Sequence, residues 1–171
     1  HPSVPAKSVR ELVALAKRQP GNLSFASAGN GTGGHLSGEL FKLLAGIDML
    51  HVPYKGVAPA LVDVVSGQVS MTFASIISAM PQVTNNRLRP LAVTGAQRSR
   101  AATGLPTMIE AGVRGYESAT WYGLLAPAGT PADIVTKLNA EVVAILKSPE
   151  MFDRLSKEGA DPVGNSSAEF A

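Results

Sequence analysis

The stretch SFASAGNGTGGHLSGELF, Ser24 to Phe41, sets five glycines and several small hydroxyl or amide residues between an apolar run and an amphipathic one. A strand that turns through glycines into a helix exposes the helix's first amides, which lack intrahelical partners and sit at the positive end of the dipole. Such a turn suits an anion, or serves only as a tight connection with a solvated tip. Glycine allows close backbone approach, and Ser27, Asn30 and Thr32 can add hydrogen bonds. Gly29, Gly31 and Gly34 also fit the G-x-G-x-x-G of dinucleotide-binding folds. That fold needs an acidic residue about 20 positions on, at the carboxyl end of the second strand. Asp48 has the spacing but precedes the apolar run Met49 to Tyr54, whose far end carries Tyr54, Lys55 and Gly56. A plain NAD site is disfavoured, an NADP-type oxidoreductase site using Lys55 stays open, and the triphosphatase loop pattern is absent.

Around this loop the pattern alternates strand and helix. Ser8 with Glu11 predicts a capped first helix bearing Leu12, Leu15 and Ala16 on one face, ended by QPGN. Leu23 to Ser27 reads as a strand, and His35 to Ala45 as a helix with Leu36, Leu40, Leu43 and Leu44 inward, stopped by Gly46. Met49 to Tyr54 is a strand, Pro59 to Ser66 a helix closed by Gly67, and Gln68 to Phe73 a strand. Three such units in succession predict α/β architecture with a parallel sheet. SIISAMPQV reads as a short helix bent or ended near Pro81, RPLAVTG as a further strand, and Thr107 to Ala111 as a small helix.

A compositional break falls near Tyr116 to Thr120. Beyond it, Tyr122 to Ala126 reads as a strand buried on both faces. Thr130 is expected to cap a long helix with Pro131 at its first position, Asp133 at its third and Ile134, Leu138, Val142 and Ile145 buried. Ser148 and Pro149 start another helix, and Ser166 with Glu169 spells a capping box before Phe170. The chain opens HPSVPAKS without an initiator methionine and closes while that helix is starting, so it reads as an excerpt lacking material at both ends.

Composition excludes several classes. The 171 residues are 45% hydrophobic and 16% charged, within the globular range. A net charge of +2 without a basic block argues against a nucleic-acid partner, and Arg87, Arg89, Arg98 and Arg100 read as a solvated turn region or a docking site for an acidic partner. No run approaches the roughly 18 apolar residues of a membrane span, so a membrane-embedded chain is not expected. The absence of cysteine removes disulfides, thiolate metal sites and cysteine nucleophiles. Ser27 lacks the G-x-S-x-G elbow, and His35 and His51 can meet in space but show no metal-ligand spacing. Neither catalytic residues nor a metal site are expected.

Four segments, SAGNGTGGHLSGELFKLLAG, HVPYKGVAPALVDVVSGQV, LRPLAVTG and WYGLLAPAGTP, together resemble the Bug, or tripartite tricarboxylate transporter (TctC-like), family of periplasmic solute-binding proteins. The likeness runs in order from about Pro5 to Phe170. It implies a periplasmic-binding-protein type II-like, Venus-flytrap α/β fold: residues 5–118 as one complete ligand-binding lobe, and residues 119–171 as part of the other. It implies no enzyme and no cofactor, but capture of a small carboxylate in the periplasm, with membrane permease subunits as partners and self-association through the incomplete lobe as an outcome to test. Carried over by position, Ser27, Gly29, Asn30, Gly31 and Thr32 match the ligand-facing loop, and His35 the histidine after it. Gly29 or Gly31 alone could merely shape the turn, and His35 could pack on Tyr54 or bond the backbone. Where many relatives carry an aspartate after the phenylalanine of TFASIISAM, this chain has Ala74, which favours plain carboxylates over amino acids.

Overall fold

The computed structural model describes residues 1–157, 159–160 and 162–170. The chain forms two compact units, His1–Thr120 and Trp121–Ala171.

In the first unit, α1 (Val9–Arg18) begins at Ser8, whose hydroxyl accepts the Glu11 N–H at 3.2 Å while Glu11 Oε2 accepts the Lys7 N–H at 2.7 Å. Both ends of this reciprocal cap are local, so the helix starts where the sequence predicts. Then come β1 (Ser24–Ser27), α2 (Gly33–Ala45), β2 (Leu50–Pro53), α3 (Val57–Val65), β3 (Met71–Thr72) and α4 (Ile76–Thr84). The strands form one parallel sheet in the order β2-β1-β3, with Ser27 opposite Pro53 and Ala26 flanked by Val52 and Thr72. The chain leaves β1 toward β2 on one side and crosses back to β3 on the other. In open α/β sheets that reversal leaves a crevice at the carboxyl end of the central strand, where ligands bind.

The face that α2 buries differs from expectation. Ser37, Gly38 and Phe41 face inward, whereas Leu36 and Leu44 are exposed and Leu43 is 77% exposed. Hydrophobic periodicity ranks residues by apolarity, but the sheet face demands smallness here, because Phe25 already fills the space beneath Gly38. Phe25, Phe41 and Tyr116 are fully buried in one core with Leu12, Leu15 and Met49, and the Tyr116 hydroxyl donates to the Ser37 carbonyl at 3.0 Å.

Other expectations are corrected beyond β3. Helix α4 continues through Pro81 to Thr84. RPLAVTG forms no strand; Val93 makes only an isolated parallel bridge with Thr107. Pro90 has no N–H to offer a ladder, and a strand without a continuous neighbour does not form. Thr107 to Ala111 is a single turn, closed by the Thr107 N–H to Glu110 Oε2 at 2.8 Å and the Glu110 N–H to Thr107 Oγ1 at 3.1 Å. Arg98 joins it through Nε to the Glu110 carboxylate at 2.9 Å, and the guanidinium first, then the Thr107 amide, hold that carboxyl below its usual range. Arg89 donates to the carbonyls of Val4 and Ala6 at 3.3 and 2.9 Å, so two of the four arginines serve internal contacts.

In the second unit, the segment read as a buried strand is exposed, with Tyr122 92% accessible and Trp121, Leu124 and Leu125 also open. A strand buried on both faces needs strands beside it, and among the described residues this unit contains only helices. Those are α5 (Ala132–Lys147), α6 (Pro149–Lys157) and α7 (Ser167–Phe170). Thr130 does not cap α5: its hydroxyl donates to the Pro127 carbonyl at 2.8 Å, and Pro131 occupies the cap position. The stripe Ile134, Leu138 and Ile145 is exposed rather than buried. The Ser166–Glu169 box does form, with the Ser166 N–H to Glu169 Oε2 at 2.8 Å and the Glu169 N–H to Ser166 Oγ at 3.3 Å. Among the described residues no helix is long and apolar enough to cross a membrane.

Candidate functional site

The turn from β1 into α2 lies at the carboxyl ends of the three strands. Gly29 and Gly31 take φ of +135° and +78°, a region that side chains disfavour, so both glycines are required by the path of the chain. The Gly29 carbonyl gathers the Thr32 N–H at 3.3 Å, the Thr32 hydroxyl at 2.7 Å and the Ser27 hydroxyl at 3.1 Å. Thr32 therefore spends its hydroxyl on the loop and, although it is the N-cap residue, makes no side-chain cap to α2. The first amides of α2 lack intrahelical partners, and glycines at 33 and 34 place no side chain over them. A β carbon at Gly31 would meet nothing within 4 Å, whereas one at Gly33 would lie 2.8 Å from Thr120 Oγ1 and one at Gly34 2.8 Å from the Phe73 carbonyl. The loop is open at Gly31 and close-packed at Gly33 and Gly34.

Two histidines support the loop. Ser27 Oγ lies 2.7 Å from His51 Nε2, and the Gly31 N–H donates to His35 Nδ1 at 3.0 Å. The imidazoles stack with centroids 4.2 Å apart, and His51 also stacks on Phe25 at 4.8 Å. The Gly31 bond forms only when His35 Nδ1 carries no proton. Burial first, then proximity to His35 and to the Lys42 charge, lower the pKa of His51, with Glu39 opposing. The two histidines meet as the sequence allows, and His35 bonds the backbone rather than Tyr54, whose hydroxyl goes to Asp63 at 2.6 Å.

Of the loop residues singled out by sequence, Ser27 is 1% exposed and lies beneath the turn, Asn30 is exposed at its tip, and Ala74 is half-buried just beyond β3. Sequence reading pairs His51 only with His35 and misses its contact with Ser27. Its signal is the parallel register, which sets His51 opposite Phe25 and so directly below Ser27 on the neighbouring strand. Asp48 lies before β2, where its carbonyl accepts the Gly21 N–H at 3.2 Å, so the acid a dinucleotide fold would need is at the wrong end of the sheet. Among the described residues no group of three or more His, Asp or Glu side chains is placed to hold a metal.

The profile of the "Tripartite tricarboxylate transporter family receptor" matches residues 1–171. The chain belongs to this receptor family. A curated relative from Pseudomonas sp. strain P51, the UPF0065 protein in the tcbD-tcbE intergenic region, is 40% identical over 94% of the chain and 49% of its own length. BugT of Bordetella pertussis is 32% identical over 95% of the chain and 50% of its own length. The chain thus spans about half the length of these relatives. Among solved structures, R. palustris Rpa4515 with adipate superposes at a TM-score of 0.92, with 42% identity over 98% of the chain and 56% of that protein. MatC of Rhodopseudomonas palustris with bound malate superposes at 0.81, with 34% identity over 92% of the chain and 54% of MatC. The family assignment and the α/β binding-protein fold stand as the sequence implies. The NADP alternative finds no support in these matches.

Proposed function

We propose that this receptor-family chain supplies one wall of a two-lobed periplasmic carboxylate clamp, with residues 5–118 as the ligand-binding lobe and residues 119–171 as part of the other lobe. The observation that carries this is the uncapped start of α2 at the sheet's switch point, beneath a loop whose Gly31 is open to solvent. Backbone N–H groups there receive one carboxylate of a small dicarboxylate, Asn30 adds a donor from the tip, and Gly29, Thr32, Ser27 and His35 fix the turn. The bound adipate and malate of the matched structures support this ligand class. The role is capture rather than catalysis: Ser27 is buried under the loop, and its hydroxyl is engaged by Gly29 and His51. Transfer of the ligand to membrane permease subunits follows from the receptor family, and a periplasmic location from the same kinship. The test is a thermal-shift titration with adipate, malate and NADPH. Stabilisation by a dicarboxylate alone is expected; stabilisation by NADPH alone would overturn the assignment.

A further inference from the structure

We infer that His35, stacked on His51, is a proton-linked support for the loop, holding its capture-ready shape while its Nδ1 is bare and releasing it when that nitrogen is protonated. This rests on the carboxylate reading of the loop for its consequence, but not for its structural content.

The geometry gives each ring a separate grip. His35 reaches up from the first turn of α2 and accepts the Gly31 N–H at 3.0 Å through Nδ1. His51, on β2, meets the Ser27 hydroxyl at 2.7 Å through Nε2. The Ser27 hydroxyl donates to the Gly29 carbonyl at 3.1 Å and its oxygen accepts the Gly29 N–H at 3.2 Å, so the Ser27–His51 contact can form with the proton on either side. The Gly31 bond has no such freedom, because a backbone N–H can only donate. It needs a bare Nδ1 on His35, and a proton there would aim one N–H at another.

The stack couples the two grips. Rings with centroids 4.2 Å apart oppose double protonation, so the pair takes up one proton before two. The charged groups acting on His51 besides His35 are Glu39 and Lys42, both on α2 and joined to each other at 3.0 Å, so their fields largely cancel; on the far side is the uncharged ring of Phe25. Protonation of His35 Nδ1 thus removes the acceptor beneath Gly31 and loosens the turn that presents the α2 amides. Added positive charge would by itself draw an anion closer. Loss of loop preorganisation opposes it, and with the Nδ1 atom aimed at the backbone the second effect sets the sign.

The experiment is amide and imidazole NMR on the 171-residue chain from about pH 7.5 to about pH 5, with and without adipate. Without ligand, His35 is expected as the Nε2–H tautomer, with the Gly31 amide shifting along its titration curve. His35→Asn, whose Oδ1 can accept the same N–H without titrating, should leave the Gly31 amide indifferent to pH, whereas His35→Ala should release it throughout. With adipate, affinity should fall about three- to tenfold more in the wild type than in His35→Asn across this range, a comparison that cancels protonation of adipate itself. A Gly31 amide that ignores the His35 titration, or a His35→Asn profile that follows the wild type, would overturn the inference. If adipate shifts no loop resonance at any pH while Gly31 still co-titrates with His35, the carboxylate reading fails and the proton-linked support stands.

Discussion

Gly38 lies flat on the ring of Phe25, and a β carbon at that helix position would fall within the ring itself. The contact sets α2 down on the sheet and so fixes where its amino terminus, and the loop before it, can lie. Gly38→Val must push the helix away or force Phe25 off its rotamer, at a cost of about 2–3 kcal/mol. Thermal unfolding should show Tm lowered by roughly 5–10 °C. An unchanged Tm would mean that α2 is not clamped to Phe25.

Local chemistry was legible in the sequence, and shape was not. Ser8 with Glu11, Gly46 at φ +60° and Ser166 with Glu169 all stand where expected, because a cap needs only neighbours a few residues away. The glycine loop was legible for the same reason. Apolar spacing turns the leucines of α2 inward because it cannot report that Phe25 demands a glycine opposite it. The segments around Val93 and Leu124 have residues that suit strands, yet a strand exists only with a neighbour to pair with. His51 shows the converse: no motif marks it, and only the register of β1 on β2 brings it under Ser27.

Tyr116 gives a pH dependence at the alkaline end. Burial pushes its phenol from 10.0 up to about 12, so the folded chain holds a proton that the unfolded chain releases. Such a group contributes its full stability below about pH 10 and loses it as pH rises toward 12. Tyr54, raised to about 12 by its hydrogen bond to Asp63, adds to the same window. Urea midpoints should therefore drop steeply above pH 10, and Tyr116→Phe with Tyr54→Phe should flatten that drop while lowering stability at neutral pH through lost hydrogen bonds. A drop of the same steepness in the double variant would assign it to other groups.

Ala74 follows β3 beside the first turn of α2, where the Phe73 carbonyl already crowds Gly34. Ala74→Asp places a negative charge near amides that are proposed to hold a carboxylate. Like charges a few ångströms apart in a solvated cleft repel by roughly 1 kcal/mol, so dicarboxylate affinity should fall severalfold, and more at low salt. Equal affinity at both salt concentrations would show that position 74 does not face the ligand.

Backbone protection should divide the chain. The amides of Ser24 to Ser27 lie in the central strand of a paired sheet, whereas Gly123 to Ala126 belong to no ladder among the described residues. Hydrogen exchange is expected to be slow in the first set and close to unprotected in the second. Equal protection in a monomeric sample would refute this; protection that grows with concentration would show that a second copy covers the segment.

The final expectation concerns how far one wall can go alone. A carboxylate at the start of a helix gains about 0.3–1 kcal/mol from the dipole, and each hydrogen bond to it contributes about 1.5–3 kcal/mol. Two or three bonds from a single loop therefore supply about 4–9 kcal/mol. Lost translational and rotational freedom costs about 4 kcal/mol or more, while micromolar binding needs a net of about 8 kcal/mol. The difference leaves the 171-residue chain with millimolar or weaker affinity. A second lobe closing over the ligand would add donors and exclude water, which strengthens the bonds already made. Calorimetry with adipate on this chain, with Gly31→Leu as a variant that blocks backbone approach, checks both steps. Weak binding, abolished by Gly31→Leu, is expected. Micromolar affinity in the chain alone would show that the loop is a complete site rather than one side of a clamp, and binding indifferent to Gly31→Leu would place the carboxylate elsewhere.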